Sequence, residues 1–270
     1  MVKFSILTSI YKSEKFLDSY FQTIFDQILL PDEIIIIDDT QNPKNINEII
    51  DKKKVMYNFS NIKLYKNDKN KGPAISLNFG LKQCSNDLIF RLDVDDLWEK
   101  NHTKKMLDFY LKDKSYLIYA NSIIKSNFLN NLKCDQFFIN ENHLIHSSWL
   151  INRSVCRDFR YHMLVPAVAL EDYFTLLYYI RKKYNIFFTY EKTSKYIFTV
   201  GSHGRNNLKN KKYINTRLLI SKYFLSHYIK NKNFFQICNF FIFKYGLLKL
   251  IVYLFWIRDL AYIRMLIRGY

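Results

Sequence analysis

Leu88-Ile89-Phe90-Arg91-Leu92-Asp93-Val94-Asp95-Asp96-Leu97-Trp98 passes from an apolar strand, Leu88 to Leu92, directly into three carboxylates within four positions. Like charges gathered at a strand end cost free energy unless something cationic neutralises them. A divalent metal bridging to a substrate phosphate meets that need, because hard cations take oxygen ligands. The first expectation is an enzyme that uses a nucleotide-activated substrate.

Upstream of this stretch, strand and helix alternate. Val2 to Leu7 reads as a strand. Ser13 is placed to cap a helix reaching about Gln27, with Phe16, Leu17, Tyr20, Phe21, Ile24, Phe25 and Ile28 on one face. Pro31-Asp32 breaks it, and Glu33 to Ile37 follows as a continuous apolar run that stops at Asp38-Asp39. A run of that kind suits a parallel strand buried on both faces. The Lys-rich segment from Asn47 to Phe59 reads as a helix and Ile62 to Tyr65 as a short strand. Gly72-Pro73 opens a helix carrying Ala74, Leu77, Leu81 and Cys84, with proline at its favoured first turn. The alternation predicts an α/β fold with a mostly parallel central sheet flanked by helices. Ligands in such sheets bind at the carboxyl ends of the strands. Thr8, Asp38-Asp39 and Asp93-Asp95 all fall there.

Downstream, a helix is expected from Lys100 to Lys112 and a strand from Tyr116 to Tyr119. The stretch from Asn121 to Val165 is less regular, with Leu144 to Ile151 strand-like. Glu171-Asp172 opens an amphipathic helix, and Ile186 to Tyr190 reads as the last strand. After Gly201-Ser202-His203-Gly204 the chain becomes helical, basic and aromatic. A boundary near Gly204 therefore divides a catalytic domain, 1–204, from a C-terminal region, 205–270.

At 270 residues, 49% of them hydrophobic, the chain holds one large domain, or one domain with an appendage. The net charge of +17 calls for an anionic partner: nucleic acid, an anionic membrane face, or nucleotide and phospholipid substrates. Cys84, Cys134, Cys156 and Cys238 form no CxxC pair and read as thiols in a reducing compartment. The N-terminal apolar stretch is too short for a signal peptide, and no uncharged run approaches bilayer length. A cytoplasmic protein with peripheral membrane contact is expected.

Taken in order, these motifs resemble a family 2 glycosyltransferase with the GT-A fold. They are Thr8-Ser9-Ile10-Tyr11-Lys12, Ile35-Ile36-Ile37-Asp38-Asp39, Asn70-Lys71-Gly72 with Asn78 and Gly80, and Asp93-Val94-Asp95-Asp96. His146-Ser147-Ser148-Trp149-Leu150 with Arg153 follows, then Glu171-Asp172. The resemblance covers roughly the first 200 residues, and the order makes the set specific. Lys12 stands where the family commonly has Asn, and Pro73 and Ser76 where it has small residues or Arg. No processive-synthase QxxRW element is present, which favours single addition.

The resemblance implies a nucleoside-diphosphate sugar donor, with UDP favoured, and a divalent metal, Mn or Mg. The acceptor would be a glycan or lipid-linked molecule of cell-surface polysaccharide or lipooligosaccharide synthesis. By family position Thr8, Tyr11 and Asp39 contact the nucleotide, Lys71 approaches phosphate, Asp93 faces the ribose and Asp95 ligates the metal. His203 would complete the metal shell or touch phosphate. Asp172 would be the base of an inverting transfer, with Glu171 as the alternative. Plainer readings stand beside each: an acidic turn capping the next helix for Asp93-Asp95, a core aromatic for Tyr11, solvated charge for Lys71, a surface histidine for His203. Glu171-Asp172 also suits a helix N-terminus enriched in acids. The basic, aromatic segment from Phe234 to Tyr270 reads equally as a membrane-surface binder or as a packed hairpin or homo-oligomer contact. The rival from another class is a non-enzymatic basic module for nucleic acid or membrane, but no nucleic-acid recognition motif supports it.

Overall fold

The computed structural model describes residues 2–40, 46–122, 144–163, 170–195 and 197. His203 and the basic segment 205–270 lie outside the described residues. The chain runs β1 (Ser5–Ile10), α1 (Leu17–Phe25), β2 (Glu33–Asp38), α2 (Ile46–Met56), β3 (Ile62–Lys66), α3 (Pro73–Gln83) and β4 (Leu88–Arg91). It continues through β5 (Leu97–Trp98), α4 (His102–Lys112), β6 (Ile118–Asn121), β7 (Leu150–Asn152), α5 (Glu171–Arg181), β8 (Ile186–Thr189) and β9 (Ser194–Lys195).

Seven strands form one sheet in the order β3-β2-β1-β4-β7-β6-β8. The four strands from β3 to β4 are mutually parallel, β7 is antiparallel to both of its neighbours, and β6 and β8 are parallel. The mostly parallel sheet expected from the alternation is therefore present, with one reversed strand. A small antiparallel ribbon, β5 with β9, stands apart.

Strand periodicity sorts the core into two layers. Ile34 and Ile36 face one side with Tyr20, Phe21 and Ile24 of α1, while Ile35 and Ile37 face the other with Leu77 and Leu81 of α3. Both sets are buried, and this is why β2 reads as an unbroken apolar run. From β1 to β3 the chain steps outward in one direction, with α1 and α2 on one face. It then returns through α3 on the opposite face to place β4 on the other side of β1. That reversal makes the crevice between β1 and β4 the topological switch point, where α/β sheets bind ligands.

Two local expectations are corrected. Ser13 does not cap a helix: its hydroxyl donates to the Tyr11 carbonyl, and a 3-10 turn at Glu14–Phe16 precedes α1. The strand expected over Leu144 to Ile151 is broken by a 3-10 turn at His146–Ser148, so only Leu150–Asn152 pairs as β7. Ser148 causes the break by donating to the Ile145 carbonyl at 2.6 Å while accepting the Asn121 N–H at 2.8 Å.

Candidate active site

The ends of β2, β1 and β4 lie side by side, with Ile10 in register with Asp38 and Leu7 with Arg91. Tyr11, Asp93 and Asp95 consequently share one crest, with Asp39 beneath it. Tyr11 keeps 37% of its surface exposed, so its ring is not core. Lys12 follows at φ 51°, a left-handed turn that Asn tolerates better than Lys, and its ammonium lies 5.3 Å from the Tyr11 ring centroid.

Thr8 departs from its expected nucleotide contact. It is fully buried, and its hydroxyl donates to the Leu92 carbonyl at 2.8 Å and meets the Tyr20 hydroxyl at 2.8 Å. Both hydroxyl functions are spent joining β1 to the end of β4, so Thr8 belongs to the scaffold. Asp39 is buried below the crest, where Oδ1 accepts Asn67 Nδ2–H at 2.7 Å and Lys71 N–H at 2.9 Å. Its Oδ2 accepts Gly72 N–H at 2.8 Å. Gly72, at φ 82°, supplies the backbone that aims two successive N–H groups at one carboxylate. Asp39 thus closes the 67–72 loop before α3, a duty beyond the base contact the resemblance implies. Lys71 pairs its ammonium with Asp68, 2.6 Å away.

After β4 the acidic stretch is held on a turn. The Asp93 N–H donates to Ser147 Oγ at 3.1 Å, and Asp93 Oδ2 lies 3.0 Å from the same hydroxyl. Asp93 Oδ1 accepts from Arg91 Nη2. Burial alone would raise the Asp93 carboxyl; Arg91 first, then the Ser147 hydroxyl, outweigh burial and hold it below the ordinary carboxylate range. Asp96 is buried against Ser147 Oγ and the Ile197 N–H, the latter at 3.0 Å. Burial first, then the charge of Asp93, pushes its carboxyl up to about 7. Asp96 therefore ties the acidic turn to residue 197. Asp95 lies between them, half-buried at the crest.

Behind Asp93 stands a buried aromatic and ionic layer. His146 Nε2 meets the Tyr161 hydroxyl at 3.1 Å, and its Nδ1 lies 3.8 Å from Asp93 Oδ2. Burial, then Arg91, lowers the imidazole to about 3, so His146 is neutral. Glu171 is 8% exposed, and its Oε2 has no partner among the described residues. Burial first, then Asp172 and Asp93, raise the Glu171 carboxyl to about 8. The acid pair at the start of α5 is thus brought within electrostatic range of the strand-end carboxylates.

Three residues of this layer escaped the sequence reading as site residues: Arg91, Ser147 and Tyr161. Arg91 left a signal, since it is the one charge in an otherwise apolar strand, a placement that needs a partner. Tyr161 left none, because its seat depends on Asn78, whose amide accepts the Tyr161 N–H at 2.7 Å and donates to its carbonyl at 2.8 Å.

Hard oxygen donors suit Mg or Mn, and Asp95 supplies one at the crest. Among the described residues no group of three or more His, Cys, Asp and Glu side chains forms a metal shell. A cation here would draw its remaining ligands from substrate oxygens.

Comparison with known proteins agrees with this geometry. The model of glycosyl transferase family 2 matches residues 5–167. A UDP-Gal:alpha-D-GlcNAc-diphosphoundecaprenol beta-1,3-galactosyltransferase of Escherichia coli is 40% identical over 113 residues, covering 41% of this chain and 40% of that protein. An uncharacterised glycosyltransferase of Haemophilus influenzae is 32% identical over 43% of this chain and 46% of its own length. The chain thus matches less than half the length of these curated relatives. Among solved structures, S. aureus TarS 1-349 in complex with UDP-GlcNAc superposes with a TM-score of 0.59 at 18% identity, over 81% of this chain and 65% of that one. The mannosyltransferase PcManGT from Pyrobaculum calidifontis, in complex with GDP-Man and Mn2+, gives 0.63 at 13% identity, over 80% and 63%. These two establish the GT-A-like fold. Because the family match spans more than half of the chain and includes the strand-end crest, the chain belongs to glycosyl transferase family 2.

Proposed function

We propose that this chain is an inverting glycosyltransferase that moves one sugar from a UDP-sugar to a glycan or lipid-linked acceptor. The observation that carries the reading is the placement of Asp93 and Asp95 just past β4, at the crevice between β1 and β4, with the charge of Asp93 reaching Glu171 at the start of α5. The Escherichia coli relative, named for UDP-Gal and a diphosphoundecaprenol acceptor, supports the donor and acceptor classes.

On this reading Tyr11 and Asp39 hold the base, Asp93 faces the ribose, and Asp95 would hold a divalent cation. Such a cation neutralises the charge that develops on a departing diphosphate. Asp172 takes the acceptor hydroxyl proton as that oxygen attacks the anomeric carbon from the face opposite the leaving group, which inverts the configuration. Glu171, raised to about 8, is mostly protonated at neutral pH, which favours Asp172 as that base. Peripheral contact with an anionic membrane belongs to the same reading and draws on the +17 charge. No helix among the described residues is long and apolar enough to cross a membrane.

Calorimetric titration of UDP with and without manganese, for the wild type and Asp95→Ala, tests the donor site. Manganese-dependent binding that disappears in the variant is expected. Binding indifferent to both metal and variant would overturn the role given to Asp95, and salt-sensitive binding of any polyanion would point to a charge-driven module.

A further inference from the structure

We propose that Arg91 is a positioning residue that aims Asp93 at the donor. The inference rests on the reading above that Asp93 faces the donor. Arg91 is 1% exposed, and its neighbours along β4 are apolar and equally buried. A buried guanidinium costs several kcal/mol unless it is paired and hydrogen-bonded, so packing alone does not explain a charge here.

Its partners explain it. Nη1 donates to the Leu7 carbonyl at 3.4 Å and to the Leu92 carbonyl, so the planar fork joins the middle of β1 to the end of β4. Nη2 donates to Asp93 Oδ1, while Ser147 approaches Oδ2 at 3.0 Å from the other side. Asp93 is clamped between a donor on its own strand and one on the His146–Ser148 turn, which leaves its carboxylate one orientation. The guanidinium also acts on Tyr161 and Glu171 across the same layer. Lysine would keep the charge and lose the fork that reaches two carbonyls and a carboxylate together.

The test compares the full-length chain with Arg91→Lys, Arg91→Met, Asp93→Asn and Arg91→Met/Asp93→Asn. Arg91→Lys is expected to weaken UDP binding about tenfold or more, and to raise the donor KM by a larger factor than it lowers kcat. A purely structural arginine would lower the melting temperature and leave the UDP affinity of the folded protein unchanged, and that result overturns the proposal. If Arg91 acts through Asp93, the double variant binds UDP no more weakly than Asp93→Asn alone, whereas additive losses count against it. Should Arg91→Met fail to fold, the double variant, which removes both buried charges together, still completes the comparison with Asp93→Asn. A crystal structure of Arg91→Lys decides independently of nucleotide: a reoriented Asp93 carboxylate supports the clamp, and an unchanged one sinks it. Absence of UDP binding by the wild type would instead fault the donor assignment, and the Asp93 orientation would then decide on Arg91.

Discussion

At the scale of single residues, adjacent acids in this chain do different work because their surroundings differ. Glu171 is sealed in the layer with Tyr161 and Arg91 and holds its proton; Asp172, one residue on, is only half-buried. Asp172→Asn should therefore lower kcat by about a hundred- to ten-thousand-fold while UDP binding persists, as single-turnover assays beside calorimetry would reveal. Turnover that survives in this variant and fails in Glu171→Gln would move the base to Glu171. Residue types at the strand ends were legible from the sequence, since three carboxylates after an apolar run need a reason wherever they fold. The fate of each functional atom was not. Thr8 lies inside β1 and Asp39 just past β2, and one spends its hydroxyl and the other three hydrogen bonds on the scaffold.

At the scale of elements, the later Asn-x-Gly motif proves to be a docking device. Asn78 ties α3 to the backbone of Tyr161, and Gly80 lets the helix lie directly on the sheet. A Cβ at Gly80 would collide with the Leu7 side chain and come within 2.9 Å of Ile37 Cγ1. Gly80→Ala is accordingly expected to cost ~1–3 kcal/mol of stability by overpacking, read as a lower midpoint in urea unfolding with an unchanged slope. An unaltered midpoint would mean that α3 shifts without penalty. Arg153 serves the same helix from the other end, donating to the carbonyls of Leu81, Cys84 and Asn86. The helices and parallel strands were readable because their periods and breakers are local. The His146–Ser148 turn and the β5–β9 ribbon were not, because each depends on partners far along the chain: Asn121 for the turn, and Thr193, whose carbonyl accepts the Glu99 N–H, beside the ribbon.

For the whole molecule, buried titratable groups set a pH window for stability. Glu171 and Asp96 stay protonated in the fold up to about 8 and about 7, where the unfolded chain has already released those protons. Their contribution is full in acid and is lost as pH rises through those values. His102, His146 and His162, lowered chiefly by burial to about 3, about 3 and about 4, are neutral where the unfolded chain binds protons, so their contribution is lost as pH falls below about 6.5. Asp93 and Glu33, both lowered, lose theirs only in stronger acid. Asp38 is also raised by burial, but above about pH 6.5 the histidines are neutral in both states while Glu171 and Asp96 still lose their contribution, so the melting temperature of the nucleotide-free protein should fall from about pH 6.5 to 8. Glu171→Gln should flatten the alkaline decline, and a wild-type profile level from pH 5 to 8.5 would contradict this account. What the sequence determined by itself was the order of elements, the two-faced burial of the strands and the carboxylates at their ends, because hydrophobic period and breaker residues act over a few positions. Only the tertiary structure decided which carboxylates are charged, which donors they accept from, and that Arg91 and Ser147 clamp Asp93. Desolvation and hydrogen bonding are set by atoms that meet across dozens of residues, and no local pattern records them.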